Sequence, residues 1–284
     1  MAELLKGAPA AAALVEKNKA AAAALREKNI IPTLAILRVG DREDDLSYER
    51  GAAKRCEACD VALKRVVLPA DISQDELLRQ LELLNNDPSI HGILPLRPFP
   101  AQIDDTEFRR AMAPQKDVDG ITDASLSGVF TDTDIGFAPC TAQAVIHILQ
   151  HYNIPIAGRH AVIAGRSLVI GRPAAMLLMQ EGATVTICHS KTADMAAITK
   201  TADIVVAAIG HRQFFTGNYF SAGQTIVDVG IHFNPDTQKM CGDVITDEAA
   251  EIVDAITPVP GGVGAVTTAV LVSHVIAAAE RTLN

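Results

Sequence analysis

The sequence predicts an α/β protein of two domains, each built around a mostly parallel sheet. Apolar runs with the length of buried strands alternate with helical segments, and a long polar stretch interrupts this alternation once. The 284 residues, with 49% hydrophobic content, are enough for two cores. We expect an N-terminal domain over residues 1–140, completed by a C-terminal helix over 266–284, and a doubly wound Rossmann-like domain over 141–265.

The first domain reads as an Ala-rich helix followed by three strands and two helices. The strands are PTLAILRVG (32–40), KRVVLP (64–69) and IHGILPL (90–96), and the helices are DDLSYERGAAKRC (44–56) and SQDELLRQLELLNND (73–87). Ser73 followed by Glu76 predicts a capped start for the second of these helices.

The second domain follows the polar stretch 116–140, which has no sustained period and is predicted to be a loop. A helix comes next, and then four apolar strands with helical segments between them. The strands are HAVIAG (160–165), ATVTICHS (183–190), ADIVVAAIG (202–210) and QTIVDVG (224–230). This spacing is typical of a dinucleotide-binding domain.

The composition argues against several kinds of partner. The net charge of −9 is spread along the chain without a Lys/Arg-rich block, so we expect no nucleic acid. Charged residues interrupt the N-terminal segment too often for a signal peptide or a membrane span, so we expect no membrane partner. Five cysteines without framework spacing suit the cytoplasm. Cys56 and Cys59 lack a second ligand pair, so we expect a structural role and no metal.

The stretch from 160 to 192 contains the features of an NADP site. A strand runs into Gly165, and Gly171 opens a helix whose free N–H groups favour an anion, although any strand-to-helix turn could supply these glycines. NAD sites commonly carry an acid at the end of the next strand. Here Ser190 and Lys191 stand there, and Arg166 in the loop adds a donor fork for a 2′-phosphate. Lys191 as an ordinary surface charge remains an alternative.

Six stretches together resemble the methylenetetrahydrofolate dehydrogenase/cyclohydrolase family in order and spacing. They are KDVDG, PCT, GRSLVIGRP, TVTICHSKTAD, VDVGI and ITPVPGGVG, and the similarity covers nearly the whole chain. The resemblance implies a homodimer whose subunits each have a folate-site domain and an NADP domain. It also implies that Gly165, Arg166, Ser167 and Ile231 contact the cofactor.

On the substrate side, the resemblance implies that Tyr48 stacks on the tetrahydrofolate and that Asp119 hydrogen-bonds its pterin ring. It also implies that Pro260, Gly261 and Gly262 border the folate. An aromatic face and a carboxylate suit a flat ring with N–H donors, so we expect Tyr48 and Asp119 to be the catalytic residues. The alternatives are that the tyrosine packs a helix face and that the aspartates of KDVDG form a turn.

The family places a catalytic lysine four residues after the tyrosine, where this chain has Ala52. The family strand GILVQLPLP also holds a glutamine that bonds to that lysine, and here Leu96 replaces it. Arg50 and Lys54 each lie two residues from Ala52, a rotation of about 200° around the helix, so we expect them to face away from the site.

We therefore predict NADP-dependent oxidation of 5,10-methylenetetrahydrofolate, with weak or absent cyclohydrolase activity. Hydride transfer needs positioning above all, whereas hydrolysis of the methenyl group needs activated water and moving protons. Two alternatives stay open. One is a fully bifunctional enzyme in which Lys54 or Arg97 replaces the lysine, and the other is a non-catalytic sensor of folate and nucleotide.

Overall fold

The computed structural model describes residues 1–235 and 237–283, which form two compact units. The six-stranded unit comprises residues 1–11 and 141–267, and the three-stranded unit comprises residues 12–140 and 268–283. The sequence had placed the first eleven residues with the N-terminal domain. In the structure Glu3 and Leu4 instead pair in parallel with Ala255 and Ile256 of the six-stranded sheet.

Strands and helices alternate along most of the chain. The strands are β1 (Glu3–Leu4), β2 (Thr33–Val39), β3 (Ala62–Leu68), β4 (Gly92–Pro95), β5 (His160–Ala164), β6 (Thr184–Cys188), β7 (Ile204–Ala207), β8 (Thr225–Asp228), β9 (His232–Asn234), β10 (Lys239–Cys241) and β11 (Ala255–Ile256). The helices are α1 (Gly7–Glu27), α2 (Glu43–Ala58), α3 (Gln74–Asn86), α4 (Asp105–Ala111), α5 (Asp123–Thr131), α6 (Cys140–His151), α7 (Gly171–Gln180), α8 (Met195–Thr199), α9 (Thr246–Ala250) and α10 (Gly264–Glu280).

The three-stranded unit is built on a parallel sheet of order β3-β2-β4. Helix α3 buries Leu77, Leu81 and Leu84, which recur at helical spacing on one face, into the core of this unit. The Ser73 hydroxyl accepts the backbone N–H of Glu76 at 3.3 Å, as the sequence predicted. This cap fixes where α3 begins.

The helical segment Gly264–Leu283, which contains α10, is long and apolar enough to match a membrane span by composition, and 56% of its apolar 18-residue window is buried inside the structure. Within the three-stranded unit, the Asn18 side-chain amide donates to the carbonyl of Ala269 at 3.0 Å, and the Ser273 hydroxyl donates to the Asn18 side-chain oxygen at 2.8 Å. These buried polar contacts fix α10 against α1, as expected of a core helix.

The polar stretch 116–140 is not the plain loop that the sequence predicted, because it contains helix α5. The Thr122 hydroxyl accepts the backbone N–H of Ser125 at 3.1 Å, and this cap starts the helix. Helix α5 ends at Thr131, and the residue that follows, Asp132, has the left-handed conformation at φ 53°. The helix is short and rich in small polar residues, so its hydrophobic period was too weak to be recognised.

The six-stranded unit has a wholly parallel sheet of order β1-β11-β8-β7-β5-β6. Strand order reverses between β5 and β7, because the chain moves from β5 outward to β6 and then back across to β7. In doubly wound folds, ligands bind outside the carboxyl ends of the strands at this switch point. A ligand is therefore expected at the loops that follow β5 and β7.

Candidate active site

A cavity of about 600 Å³ lies at the switch point of the six-stranded unit. The loops after β5, β6 and β7 supply most of its wall. Its lining residues are Gly165, Arg166, Ser167, His189, Ser190, Thr192, Met195, Ala208, Ile209, His211, Phe214 and Tyr219. A cavity of this volume at this place in the fold is the expected position for a dinucleotide.

The loop after β5 has glycines where no side chain fits. A Cβ on Gly165 would lie 2.2 Å from the Ala208 carbonyl oxygen, and one on Gly171 would lie 2.3 Å from the Gly165 carbonyl oxygen. The Ser167 hydroxyl accepts the backbone N–H of Ile170 at 3.1 Å and so holds the loop against the start of α7. This tight turn leaves backbone close to the cavity, as a phosphate-binding loop requires.

The side chains predicted to contact or select the cofactor divide into two groups. Arg166 and Ser190 line the cavity, whereas Lys191 and Ile231 lie outside its lining among the described residues. Lys191 is exposed, and its backbone N–H donates to Nδ1 of His189 at 3.1 Å. Strand β6 ends without a carboxylate at the cavity, so nothing there repels a 2′-phosphate.

Sequence reasoning missed the aromatic part of the wall. Phe214 and Tyr219 both line the cavity, with ring centroids 5.5 Å apart, and Phe214 is 43% exposed. His211 joins them, 6.5 Å from Phe214. For His211 and Phe214 the signal was present as the run HRQFF, directly after the predicted strand ADIVVAAIG. Such faces offer stacking surface for a planar ring.

In the three-stranded unit, Tyr48 on α2 and Asp119 are brought together. Burial raises the pKa of Tyr48 well above its ordinary value, and the Asp119 carboxylate adds to this effect. Burial also raises the pKa of Asp119 to about 6, with the Asp117 carboxylate acting in the same direction. The Cys140 thiol and the Arg97 guanidinium act against that increase. The two predicted substrate residues thus share one poorly solvated site.

The two aspartates of KDVDG have different roles. Asp117 is fully buried, and its carboxylate accepts the backbone N–H groups of Ile121 and Thr122 at 3.0 and 2.7 Å and the Ser125 hydroxyl at 2.6 Å. Asp117 is therefore the turn-forming residue that precedes α5. Asp119 makes none of these turn contacts. Its carboxylate instead interacts with Tyr48.

The positions of the family lysine and glutamine are apolar and closed in this chain. Ala52 is fully buried on α2, and Leu96 is 5% exposed after β4. Arg50 and Lys54 are exposed on α2, as their rotation from Ala52 predicted. Neither side chain emerges from the buried face of the helix.

Arg97, the other candidate to replace the lysine, is already paired. Its guanidinium binds both carboxylate oxygens of Asp105, and Asp105 also accepts from Arg109 at 3.1 Å. A bidentate ion pair holds a guanidinium in one orientation. Arg97 therefore supplies a fixed positive charge near Asp119 and not a proton acceptor.

The predicted folate-bordering residues Pro260, Gly261 and Gly262 belong to the six-stranded unit. The Gly261 carbonyl accepts the backbone N–H of Gly7 at 2.8 Å, and Gly261 has φ 99°. A Cβ on Gly262 would lie 2.5 Å from the Pro258 carbonyl oxygen. Both glycines are thus needed by the turn itself.

Comparisons with known proteins agree with these observations. Residues 5–119 match the family model of the tetrahydrofolate dehydrogenase/cyclohydrolase catalytic domain, and residues 139–283 match that of its NAD(P)-binding domain. The bifunctional protein FolD of Carboxydothermus hydrogenoformans is 47% identical over 281 residues, which cover 99% of this chain and 98% of the relative.

Two solved structures have the same fold over essentially the whole chain. The bifunctional enzyme FolD of Campylobacter jejuni superimposes with a TM-score of 0.95 at 35% identity, covering 99% of this chain and 100% of the other. The Trypanosoma brucei methylenetetrahydrofolate dehydrogenase-cyclohydrolase, solved with NADP cofactor and an inhibitor, gives 0.92 at 32% identity, covering 100% and 99%. The predicted family and two-domain α/β fold are confirmed. The chain is an enzyme of the tetrahydrofolate dehydrogenase/cyclohydrolase family and carries both its catalytic and its NAD(P)-binding domain.

Proposed function

We propose that the enzyme oxidises 5,10-methylenetetrahydrofolate to 5,10-methenyltetrahydrofolate and transfers the hydride to NADP⁺. The observation that carries this proposal is the cavity at the switch point, with its glycine turn and with Arg166 and Ser190 in its lining. A guanidinium and a hydroxyl can donate hydrogen bonds to a 2′-phosphate. NADP⁺ supplies the hydride acceptor when bound, and the chain has to hold it in one orientation.

The folate side rests on Tyr48 and Asp119. The tyrosine offers an aromatic face, and the carboxylate is an acceptor for the N–H donors of a pterin. Asp117 makes the turn contacts, and the Asp119 carboxylate, which interacts with the Cys140 thiol, has further acceptor positions for a ligand. Pro260, Gly261 and Gly262 keep the bordering role that the family resemblance implies.

We infer that hydrolysis of the methenyl product is weak or lost. Activation of water calls for a group whose proton can move, and Ala52 and Leu96 provide none. Lys54 is exposed, and Arg97 is held by Asp105. The competing interpretation is a fully bifunctional enzyme, and the bifunctional name of the 47% identical relative favours it.

Two assays on one preparation test both parts of the proposal. NADPH formation after addition of methylenetetrahydrofolate measures the dehydrogenase, and decay of methenyltetrahydrofolate absorbance measures the cyclohydrolase. We expect rapid NADPH formation and slow decay. Comparable rates would overturn the inference of weak hydrolysis, and binding of both ligands without NADPH formation would identify a non-catalytic sensor instead.

We also propose that the enzyme acts as a homodimer in the cytoplasm. The dimer is what the family resemblance implies, and the five free cysteines suit a reducing compartment. Light scattering coupled to size-exclusion chromatography would give the molar mass in solution, and a mass of one 30.1 kDa chain would contradict the dimer.

A further inference from the structure

The six-stranded unit contains two buried carboxylates that do not line its cavity. Asp228, the last residue of β8, is 1% exposed, and Asp243 is fully buried. Sequence reasoning gave neither residue a role. A buried carboxylate is costly unless several donors satisfy it, so the partners of these two groups indicate what they hold in place.

Asp243 joins the turn after β7 to the hairpin after β8. One of its carboxylate oxygens accepts the backbone N–H groups of Ile209 and Gly210, at 2.7 and 3.0 Å. The other oxygen accepts Nε2–H of His232 at 2.8 Å. Ile209 lines the cavity, so a single carboxylate fixes one wall of that cavity to a neighbouring element.

Asp228 in turn fixes the backbone at Asp243 by hydrogen bonds. Its carboxylate accepts the backbone N–H groups of Gly230, Asp243 and Val244, at 3.0, 3.1 and 2.9 Å. Burial raises the pKa of Asp228 to about 7, and the nearby Asp243 carboxylate adds to this effect. The backbone N–H groups act against the increase.

The carboxylates of Asp228 and Asp243 pack tightly against two glycines. A Cβ on Gly230 would lie 2.4 Å from an oxygen of Asp243, and one on Gly242 would lie 1.9 Å from an oxygen of Asp228. The Thr257 hydroxyl accepts the backbone N–H of Asp228 at 2.8 Å, which ties β11 into the same network. A tightly packed, satisfied polar network holds backbone in one arrangement.

We propose that Asp243 is a positioning residue for the dinucleotide: its carboxylate fixes the Ile209–Gly210 turn that forms one wall of the NADP cavity. Asp243 does not line the cavity, and it acts through the two backbone N–H groups that it accepts. The inference rests on this cavity being the NADP site, as proposed above.

The test compares Asp243→Ala and Asp243→Asn with a matched control, Asp247→Asn, an exposed aspartate on α9 four residues away. Titration calorimetry gives the NADP⁺ dissociation constant without folate. Steady-state assays give kcat and the KM of each substrate. Circular dichroism and thermal melting show whether each variant is folded.

We expect Asp243→Ala to weaken NADP⁺ binding by about tenfold or more, the scale of a lost charge-assisted hydrogen bond, with the KM for methylenetetrahydrofolate unchanged. The NADP⁺ affinity of Asp243→Asn should lie between those of the unaltered enzyme and Asp243→Ala. Its amide oxygen can still accept from Ile209 and Gly210, but its NH₂ group is a donor that faces the Nε2–H donor of His232. The Asp247 control should bind NADP⁺ as the unaltered enzyme does.

A folded Asp243→Ala variant with unchanged NADP⁺ affinity would overturn the proposal. So would a fall in kcat with both KM values unchanged, since that pattern reports a smaller folded fraction. If Asp243→Ala does not fold, Asp243→Asn decides alone, and unchanged affinity in that variant overturns the proposal. Failure of the unaltered enzyme to form NADPH while it still binds NADP⁺ would count against the proposed reaction only.

Discussion

The carboxylate of Glu49 on α2 accepts a hydrogen bond from Nε of Arg38 on β2 at 3.0 Å, and only 11% and 9% of the two side chains are exposed. The second oxygen of Glu49 accepts from Arg65 on β3 at 2.7 Å. Four α2 residues are buried, Asp45, Glu49, Ala52 and Cys56, and two of them are acidic. Through Glu49, helix α2, which carries Tyr48, is therefore joined by ion pairs to two strands of its sheet.

Replacement of Glu49 by Gln should destabilise the three-stranded unit. Removal of one partner of a buried ion pair costs about 3–5 kcal/mol, and we expect the lower end because Arg38 retains Asp41 and the Gly40 carbonyl. Urea unfolding measures the change. Glu76→Gln, which removes an exposed pair with Arg79, is the matched control and should cost much less, because solvent screens that pair. Equal losses in the two variants would show that burial of the Glu49 pair contributes nothing.

Cofactor selectivity should depend on Arg166 more than on Lys191. Arg166 lines the cavity and Lys191 does not, so Arg166→Ala should raise the KM for NADP⁺ about 10- to 100-fold, while Lys191→Ala should change it little. The KM for NAD⁺, which has no 2′-phosphate, should be nearly unchanged in both variants. Parallel losses for the two cofactors would mean that neither side chain touches that phosphate.

The ionisation of Asp119 should make turnover of methylenetetrahydrofolate depend on pH. Its pKa of about 6 means that the carboxyl gains a proton as pH falls through that value and then loses acceptor capacity for the pterin. We expect kcat/KM for methylenetetrahydrofolate to fall below about pH 6, and Asp119→Asn to remove this step. Asp119→Ala should cost about 1–3 kcal/mol in folate binding. A pH profile that Asp119→Asn leaves unaltered would assign the ionisation to another group.

The raised pKa of Asp119 also predicts how its contribution to stability changes with pH. Because the folded pKa of Asp119, about 6, lies above the unfolded value of about 3.9, the folded state binds this proton more tightly. The contribution of Asp119 to stability is therefore more favourable at pH 4 than at pH 8. Asp119→Asn should raise the melting temperature at pH 8 and have less effect at pH 4. The opposite order would show that the carboxylate is stabilised by its surroundings.

Local signals in the sequence were enough for strands β2 to β8, the longer helices and the glycine turn after β5. Gly165 and Gly171 were recognised because a backbone turn beside a ligand needs glycine, whatever the rest of the chain does. The cap at Ser73 was equally local. The family and fold followed from such motifs, and the matching domain models confirm them.

Contacts between distant residues could not be predicted in this way. The Glu49–Arg38 pair spans β2 and α2, and the Asp243 carboxylate reaches back 34 residues to Ile209. Nothing in the spacing of these residues distinguishes a buried charge from an ordinary surface charge. The distinct roles of Asp117 and Asp119 likewise depend on which carboxylate the α5 turn captures.

Restoring the family pair should raise hydrolysis of methenyltetrahydrofolate. Ala52→Lys with Leu96→Gln should increase the cyclohydrolase rate more than either change alone, because a lone lysine lacks its orienting partner and a lone glutamine has no charge to hold.

Ala52 is fully buried, so Ala52→Lys should also destabilise the unit by about 1–3 kcal/mol through overpacking. Ala52→Met, similar in length and uncharged, is the control: it should lose less stability in urea unfolding than Ala52→Lys, because it buries no charge, and it should show no gain in hydrolysis. Lys54→Ala should leave both activities unchanged, because that side chain is exposed away from the buried face of α2. If the unaltered enzyme already hydrolyses the methenyl compound as fast as it forms NADPH, and Lys54→Ala abolishes that hydrolysis, then Lys54 is the base and the assignment of Ala52 to the lysine position is wrong.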